Sequence, residues 1–423
     1  PTPTPTPTPT PNPTRTLAPT PTSSEMISVT TPTPPVIPET NTATPARSAT
    51  PHGTHATPAR QLNPQVHMFY YAWYGNPTHN NGRYVHWNHE VLLNRKDKQP
   101  NPRLEPPEDI GADFYPAHGL YSSLDRYTLD RHMREIASTG AGTIAHSWYP
   151  AHRDDRQIPG EDKGYSDRLA ILLLDVADRY GLKVCFHLEP WEGKTAVDVA
   201  NDLRFLVDTY GGHPAFYRYK GARSDRALPL VYAYDSYQIA EKEWREVLQP
   251  DGRHTVRGTY YDAYVVGLLL NQRDVLTLGR AGFDGCYSYF AATGFTQGST
   301  PRYWPEIQRR AKEQGLFFVP SVGPGYADLR IRPWNTPNQR SREEGAYYDR
   351  MWQAALALHP PLVSITSYNE WHEGTQLEAA QPERVSRNSG YRYTDYGSRA
   401  PDYYLLRTRR FVEQVLARTE EKR

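Results

Sequence analysis

Short apolar stretches alternate with longer amphipathic ones along most of the chain. The apolar stretches are rich in β-branched and aromatic residues, a composition typical of strands. Eight of them predict strands, at 66–72, 142–148, 183–189, 229–235, 264–270, 283–290, 316–322 and 362–368. Segments with the apolar spacing of a helix lie between most of these strands, among them 126–138, 165–180, 197–210, 303–314 and 345–358.

This alternation predicts the fold class. Eight strands that alternate with helices favour an α/β fold in which the strands form a (β/α)8 barrel, or TIM barrel. The longest insertion, 76–125, follows the first strand and is rich in Asn, Pro, His and aromatic residues. An ordered loop of this length in a compact domain is usually functional. We therefore expect residues 65–423 to form one barrel domain whose function involves this loop.

Residues 1–64 have a different composition. Pro1–Thr10 alternates proline and threonine, and Pro, Thr, Ser and Ala dominate as far as Thr57. Such a segment cannot bury enough apolar surface to fold, and its prolines keep it extended. We predict a disordered linker over 1–64, of the kind that tethers a bacterial-type secreted enzyme to a cell surface or to another module. The expected location is therefore extracellular or cell-surface tethered.

The charge pattern argues against two classes of partner, nucleic acids and anionic membranes. The 423 residues carry a net charge of +1 without a block of Lys or Arg, which argues against nucleic acid or an anionic membrane as a partner. No apolar run approaches the roughly 20 residues of a membrane span.

The two cysteines, Cys185 and Cys286, lie in apolar, strand-like runs, which predicts free buried thiols. We expect a monomer.

The last predicted strand leads directly into polar residues. Leu362–Thr366 is apolar and β-branched, and the five residues that follow Tyr368 are Asn369, Glu370, Trp371, His372 and Glu373. The carboxyl ends of barrel strands are where catalytic groups lie. Glu370 and Glu373 could share acid and base duties beside an aromatic ring that stacks on a sugar, as in a glycosidase. The ordinary alternative, a solvated turn with capping glutamates, is less consistent with the aromatic and amide neighbours.

The other predicted strands end in similar residues. These are Tyr70, Tyr71, Trp73, Tyr74, His146, Trp148, Tyr149, His187, Glu189, Tyr234, Asp235, Tyr287, Tyr289 and Phe290. Any one of them could be a packing residue. Because strand ends of a barrel converge on one rim, their joint occurrence predicts a carbohydrate cleft.

Other chemistries find little support in the sequence. It contains no Gly-x-Gly-x-x-Gly after the first strand, no Walker motif and no Gly-x-Ser-x-Gly elbow. A metal site built from His86, His89, His187 and His372 is an alternative, but the nearby Trp and Asn residues favour sugar binding. We therefore expect neither a metal nor a cofactor.

Several longer motifs resemble one glycoside hydrolase family. They are Phe-Tyr-Tyr-Ala-Trp-Tyr-Gly-Asn-Pro at 69–77, Tyr-Val-His-Trp-Asn-His at 84–89, Ser-Trp-Tyr-Pro at 147–150, His-Leu-Glu-Pro at 187–190, Pro-Ser-Val-Gly-Pro-Gly-Tyr at 320–326, Arg-Pro-Trp-Asn-Thr at 332–336 and Asn-Glu-Trp-His-Glu-Gly-Thr-Gln at 369–376. Together they resemble the endo-α-1,2-mannosidase and endo-α-1,2-mannanase family. The resemblance spans roughly 66–416 and excludes the linker.

The resemblance implies a metal-independent barrel that cleaves internal α-1,2-mannosidic bonds of high-mannose N-glycans or α-mannan with retention of configuration. By motif, Glu373 matches the general acid/base. Glu370 matches the residue proposed to deprotonate the sugar 2-hydroxyl, which then attacks the anomeric carbon to form a 1,2-anhydro sugar. In an α-mannoside the axial 2-oxygen lies trans to the leaving group, so this attack is geometrically reasonable.

Motif matches and strand ends together define the expected substrate-binding residues. They are Tyr71, Tyr74, His86, Trp148, Tyr149, His187, Glu189, Tyr234, Asp235, Tyr289, Asn369, Trp371 and His372. Three alternatives stay open for single residues: Glu189 as the partner of a rim arginine, and His86 and His89 as packed loop residues. Two stay open for the whole protein: a retaining glycosidase in which Glu370 attacks the sugar directly, and a non-catalytic carbohydrate-binding barrel.

Overall fold

The computed structural model of the chain describes residues 61–94, 100–150 and 165–420. The linker prediction therefore falls almost wholly outside the described residues. The first strand begins at Asn63, so it includes the last two residues of the segment predicted as linker.

The core is a ring of parallel strands. They are β1 (Asn63–Tyr70), β2 (Ala141–Trp148), β3 (Lys183–Leu188), β5 (Leu228–Ala233), β6 (Tyr264–Leu268), β7 (Gly285–Tyr287), β8 (Phe317–Val319), β9 (Ser321–Val322) and β10 (Val363–Ile365), while β4 (Arg218–Tyr219) pairs antiparallel with β5. Each parallel strand pairs with the next parallel strand in the chain, except that β8 and β9 do not pair with each other, and β1 pairs with β10. Every predicted strand overlaps an observed one, which confirms the (β/α)8 barrel.

The ring closes through a strand that is interrupted by proline. Pro320 separates β8, which pairs with β7, from β9, which pairs with β10. Proline has no N–H to donate, but the Pro320 carbonyl accepts a hydrogen bond from Ser364 N at 3.1 Å. The stretch predicted as one strand, 316–322, therefore forms two short strands, each of which pairs with one neighbouring strand.

Helices surround the ring. They span Arg126–Ser138, Tyr165–Arg179, Ala196–Tyr210, Glu241–Leu248, Asp274–Ala281, Trp304–Glu313, Ala346–Ala357 and Tyr403–Glu420. The boundaries of the five predicted helices agree to within one residue. Caps explain two of the starts: Asp125 accepts from the N–H groups of Tyr127 and Thr128, and Thr195 with Asp198 forms a capping box. No helix in the described ranges is long and apolar enough to cross a membrane.

The strand alternation decides which side chains fill the barrel. His67 and Phe69 of β1 point inward, where Tyr232 donates to or accepts from His67 Nδ1 at 2.8 Å and Phe69 contacts the ring of His187. Residues of the other parity point outward; Tyr70, for example, bonds His132 of helix Arg126–Ser138 at 2.9 Å. Both cysteines are free and buried, as predicted.

The described part of the 76–125 insertion packs over the carboxyl ends of the strands. Trp87 stacks on Tyr74 with ring centroids 4.1 Å apart, and Gly111 N donates to Trp87 O at 2.9 Å. Trp87 is completely buried and Phe114 nearly so. The insertion is therefore an ordered part of the rim.

Candidate active site

Glu370 and Glu373 lie on a loop, residues 367–378, that folds back on its own start. Ser367 N donates to Thr375 O at 3.0 Å, and Leu377 N donates to Ser367 O at 2.9 Å. The Ser367 hydroxyl accepts from Glu370 N at 2.8 Å. These bonds fix the main chain on both sides of the two glutamates.

Glu370 is the more enclosed of the two. Its side chain is 5% exposed, and Oε1 accepts from His372 N at 3.1 Å. Burial, and then the charge of Glu373, raise the pKa of Glu370 well above its ordinary value. The protein alone therefore favours the neutral form of this carboxyl.

Glu373 lies closer to solvent, with 17% of its side chain exposed. Burial raises the pKa of Glu373 to about 7, while Arg332, whose Nη1 is 3.7 Å from Oε1, acts in the opposite direction. Since each carboxyl is close enough to influence the other, the two titrate as a pair that holds a proton near neutral pH.

A polar cluster after β9 fixes Arg332 beside Glu373. Its centre is Asp328, which is fully buried. The carboxylate of Asp328 accepts from Tyr326 OH at 3.0 Å, Arg332 Nη1 at 3.1 Å, Asn335 Nδ2 at 2.8 Å and Gln339 Nε2 at 2.8 Å. None of these residues was among the predicted site residues. The sequence did contain a signal, since the motif at 320–326 overlaps the end of the seventh predicted strand and the motif at 332–336 follows it.

A third carboxylate, Glu189, comes from the end of β3. It accepts from the Ser147 hydroxyl at 2.7 Å, and His187 Nδ1 lies 3.1 Å from the same oxygen. The described part of the chain places no arginine in an ion pair with Glu189, so the rim-arginine alternative does not hold there. Its charge helps to raise the pKa of both Glu370 and Glu373, although burial is the larger cause.

Tyrosines form a wall beside the three carboxylates. The hydroxyls of Tyr71 and Tyr289 are hydrogen-bonded to each other, and the Tyr234 ring lies 4.8 Å from that of Tyr289. Burial, followed by the charges of Glu189, Asp235 and Glu370, raises the pKa of Tyr149 well above its ordinary value, which places this phenol near the same carboxylates. The arrangement offers aromatic faces, hydroxyls and carboxylates around one pair that can exchange a proton.

Comparison with known proteins agrees with this chemistry. Residues 61–417 match the model of the family described as glycosyl hydrolase family 99. The chain belongs to glycosyl hydrolase family 99. It is therefore a glycoside hydrolase.

Relatives of this family-99 enzyme are similar over most of their length. A glycoprotein endo-alpha-1,2-mannosidase of Rattus norvegicus is 44% identical over 357 residues, which are 84% of this chain and 75% of that protein. A glycoprotein endo-alpha-1,2-mannosidase-like protein of Homo sapiens is 41% identical over 84% of this chain and 77% of its own. The structure of the GH99 endo-alpha-mannosidase from Bacteroides thetaiotaomicron is 40% identical, with a TM-score of 0.76, over 84% of this chain and 99% of that one.

Histidines of the family-99 enzyme pack on one side of Glu370. His86, from the 76–125 insertion, stacks on Trp73 at 4.7 Å, and His372 Nε2 contacts the carbonyl oxygen of His86 at 3.1 Å. Burial lowers the pKa of His86 to about 3 and that of His372 well below its ordinary value. Both rings are therefore neutral. Trp73, which was noted as a strand-end aromatic but not selected as a site residue, belongs to this stack.

The four-histidine metal alternative is not assembled. His187 bonds Tyr287 OH through Nε2 at 2.8 Å inside the barrel, whereas His86, His89 and His372 pack ring against ring at the rim. Among the described residues, no three His, Cys, Asp or Glu side chains are grouped so that they could hold a metal ion.

Four other residues predicted to bind substrate have buried side chains in the protein alone. Trp148 has the opposite parity to Ser147, packs against Phe205 and donates to Asp167 Oδ1 at 3.1 Å. Three others are fully buried: Tyr74, and Asn369 and Trp371 of the catalytic loop. In the protein alone these side chains contact other residues of the protein, and their part in substrate binding stays a prediction.

Asp235 has a backbone that points its side chain over the rim. Its φ of 49° and ψ of 31° are left-handed, a conformation that asparagine and aspartate adopt more readily than most residues. Gln238 Nε2 donates to Asp235 Oδ2 at 2.7 Å. Burial, opposed by Tyr237 and reinforced by the charge of Glu189, raises the pKa of Asp235, so this carboxyl belongs to the same electrostatic group.

Proposed function

We propose that this family-99 enzyme is a retaining, endo-acting α-1,2-mannosidase that cleaves internal bonds of high-mannose N-glycans or α-mannan. The observation that carries the proposal is the buried pair Glu370 and Glu373 on one loop, with both carboxyl pKa values raised. The choice of substrate is supported by the 44% identity to a protein named glycoprotein endo-alpha-1,2-mannosidase.

In the first step, Glu373 donates its proton to the glycosidic oxygen as the bond from that oxygen to the anomeric carbon breaks. Glu370 takes the proton of the 2-hydroxyl, and the 2-oxygen bonds to the anomeric carbon from the opposite face. Burial raises the pKa of Glu373 to about 7, so this carboxyl can carry a proton near neutral pH, as a general acid must. The products are a shortened glycan and a 1,2-anhydro sugar.

In the second step, water attacks the anomeric carbon and gives a proton to Glu373. The bond from the anomeric carbon to the 2-oxygen breaks, and Glu370 returns its proton to that oxygen. Two inversions give net retention. The scheme differs from the ordinary retaining mechanism, in which the second carboxylate is itself the nucleophile.

For Glu373 to act as the acid and Glu370 as the base, the proton that they share must be on Glu373. In the protein alone, burial favours protonation of Glu370, and Arg332 favours the ionised form of Glu373. The proposed reaction needs the reverse. A sugar 2-hydroxyl that donates to Glu370 and a glycosidic oxygen that accepts from Glu373 would select the productive arrangement of the same single proton.

The surrounding residues have a consistent part in this proposal. Glu189, which accepts from the Ser147 hydroxyl and lies beside His187, would accept hydrogen bonds from sugar hydroxyls. The remaining wall would be formed by Tyr71, His86, Tyr149, Tyr234, Asp235, Tyr289 and His372. We also propose that the enzyme is a monomer that acts outside the cell, tethered by the segment 1–64.

Sizing of products tests the proposal. The enzyme would be incubated with high-mannose N-glycans, with and without terminal glucose, and with α-mannan, and the first products would be sized and their anomers followed by NMR. We expect a disaccharide or larger product that is initially the α anomer, with a rate that EDTA leaves unchanged. Free mannose as the only early product, or loss of activity in EDTA, would contradict the proposal.

Two experiments separate this proposal from a glycosidase with a direct nucleophile and from a carbohydrate-binding barrel. Trapping of a stable glycosyl-enzyme by a fluorinated mannoside would indicate direct attack by Glu370. Binding of the glycans without any product would indicate a carbohydrate-binding barrel.

A further inference from the structure

Glu378 closes the catalytic loop and is fully buried. Its carboxylate contacts four polar groups. Oε2 accepts from Tyr121 OH at 2.8 Å and from Trp371 Nε1 at 3.1 Å. Oε1 lies 3.1 Å from His132 Nε2 and accepts from Arg131 Nη2 at 3.4 Å.

All four of these groups act as donors. The indole of Trp371 and the guanidinium of Arg131 can only donate. His132 Nε2 lies 3.1 Å from both Glu378 Oε1 and Arg131 Nη2. We assign the ring hydrogen to Nε2, facing the carboxylate, and leave Nδ1 to accept from the Tyr70 hydroxyl at 2.9 Å. The Tyr121 hydroxyl accepts from Asn369 Nδ2 at 3.2 Å and therefore has its own hydrogen for Glu378. Only an ionised carboxylate accepts from four donors at once.

The electrostatics agree with this assignment. Burial acts to raise the pKa of Glu378, but His132, Arg131 and the hydroxyl of Tyr121 outweigh it and hold the pKa below its ordinary value. Glu378 is therefore charged under the conditions in which Glu373 carries a proton, and the two carboxyls have different roles.

Glu378 is connected by hydrogen bonds to residues that are next to the catalytic glutamates in the chain. Trp371 stands between Glu370 and Glu373 in the chain, and its indole is fixed by Glu378. Asn369 precedes Glu370 and bonds the main-chain N–H and carbonyl of Tyr71, both at 2.8 Å. Arg131 and His132 belong to helix Arg126–Ser138, so one buried carboxylate joins this helix to the residues on either side of Glu370.

We propose that Glu378 is a positioning residue for the reaction: through Trp371, and through Tyr121 and Asn369, it sets the positions of Glu370 and Glu373 relative to each other and to Tyr71. This inference rests on the proposed function. Glu378 itself is the last residue of the loop, and its side chain is buried.

Glu378→Gln tests the inference with little change of shape. The amide nitrogen replaces one oxygen by a donor, so two of the four neighbours then face a donor and lose their acceptor. A small misplacement of catalytic groups can cost about 10²-fold in rate. We expect kcat on the glycan to fall by about 10- to 100-fold, with KM nearly unchanged because the walls of the cleft stay in place.

The leaving group distinguishes positioning from general damage. An aryl mannoside with an activated leaving group needs less protonation by Glu373, so its kcat should fall less than that of the glycan in Glu378→Gln. A loss of stability alone would lower both rates in proportion. Tyr121→Phe, which removes the bridging hydroxyl but keeps the ring, should produce the same unequal loss of rate to a smaller extent. This variant tests the inference if Glu378→Gln does not fold.

Asp167→Asn is the matched control. Asp167 also accepts from a tryptophan indole and a tyrosine hydroxyl, those of Trp148 and Tyr210, both at 3.1 Å, but it lies in the helix layer. We expect its kcat to equal that of the parent on both substrates.

The inference is overturned if Glu378→Gln and Tyr121→Phe keep the parental kcat, or if both substrates lose rate equally. A parent enzyme that cleaves no α-mannoside would contradict the proposed function and would be seen before any variant is made. An active parent with unaffected variants would contradict the inference alone.

Discussion

Glu370 and Glu373 are three residues apart, but their surroundings give them different properties. Glu370 faces a main-chain N–H and the neutral ring of His372. Glu373 faces the guanidinium of Arg332 and is more exposed. Burial raises both pKa values, and the charge of Glu373 raises that of Glu370 further, so the pair holds a proton near neutral pH. This difference is what a site needs if one carboxyl is to act as acid while the other acts as base.

Glu373→Gln should remove most of the activity on glycans and leave binding largely intact, because the amide keeps the shape of the side chain. Loss of general acid/base help typically costs about 10² to 10⁴ in rate. Cleavage of an activated aryl mannoside should suffer less in its first step. Steady-state rates on both substrates, with calorimetric binding of the glycan, would check this. Equal losses on both substrates, together with weaker binding, would indicate a folding or binding defect.

The pair should also give a bell-shaped pH dependence of kcat/KM. Activity requires one proton on the pair, so the rate should fall at low pH as the second proton binds, and should fall again at higher pH as the last one leaves. In Glu373→Gln the alkaline limb should disappear, because no acid remains to be lost. The pKa of Glu370 should also drop, since the charge of Glu373 helps to raise it. Profiles measured on an aryl mannoside would show both changes; an alkaline limb that persists in the variant would contradict them.

At the scale of the elements, apolar runs located all eight strands, because buried parallel strands need them. The runs overestimated strand length where rim aromatics continue the pattern: 283–290 contains only Gly285–Tyr287 as strand. Strand alternation could have placed Trp148 outside the barrel, since it is one residue beyond the inward-facing Ser147. The burial of Asn369 and Trp371, by contrast, depends on Glu378 and Tyr121, whose proximity is a product of the tertiary fold.

The 76–125 insertion should be sensitive to substitution at Gly111, where it meets the catalytic loop. A Cβ added there would lie 2.5 Å from His89 Cβ and 3.4 Å from His372 Cδ2. We expect Gly111→Ala to lower the free energy of unfolding by about 1–3 kcal/mol, as overpacking does, and to lower kcat by displacing His372 from Glu370. Denaturant unfolding and steady-state kinetics would check both effects.

Gly212→Ala is the control for this substitution. A Cβ at Gly212 meets no atom within 4 Å, and its φ is not in the left-handed region. We expect a change within about 0.5 kcal/mol and no change of kcat. Equal behaviour of the two variants would mean that the contact between the insertion and the loop accommodates the extra methyl group.

At the scale of the whole molecule, one end of the barrel carries the catalytic residues and the other carries residues that stabilise the fold. The carboxyl ends of the strands carry the catalytic groups. The amino ends of β6 and β7 instead carry a charge cluster of Arg223 and Arg257 with Asp262 and Asp284, residues that precede these strands or pack against them. In barrels of this class the carboxyl end serves catalysis and the amino end serves stability. The charge cluster should therefore affect unfolding without affecting the reaction.

Arg257→Met tests this separation. The side chain of Arg257 is 6% exposed and those of Asp262 and Asp284 are 8% and 4% exposed, so removal of the guanidinium leaves buried carboxylates with only Arg223 as their cationic partner. Breaking a buried ion pair typically costs about 3–5 kcal/mol, whereas Arg253→Met, at an 84% exposed arginine paired with Glu246, should cost less than about 1 kcal/mol. Denaturant unfolding would compare the two variants, and both should keep the parental kcat at 25 °C. A loss of kcat in Arg257→Met without a loss of stability would show that the two ends of the barrel are coupled.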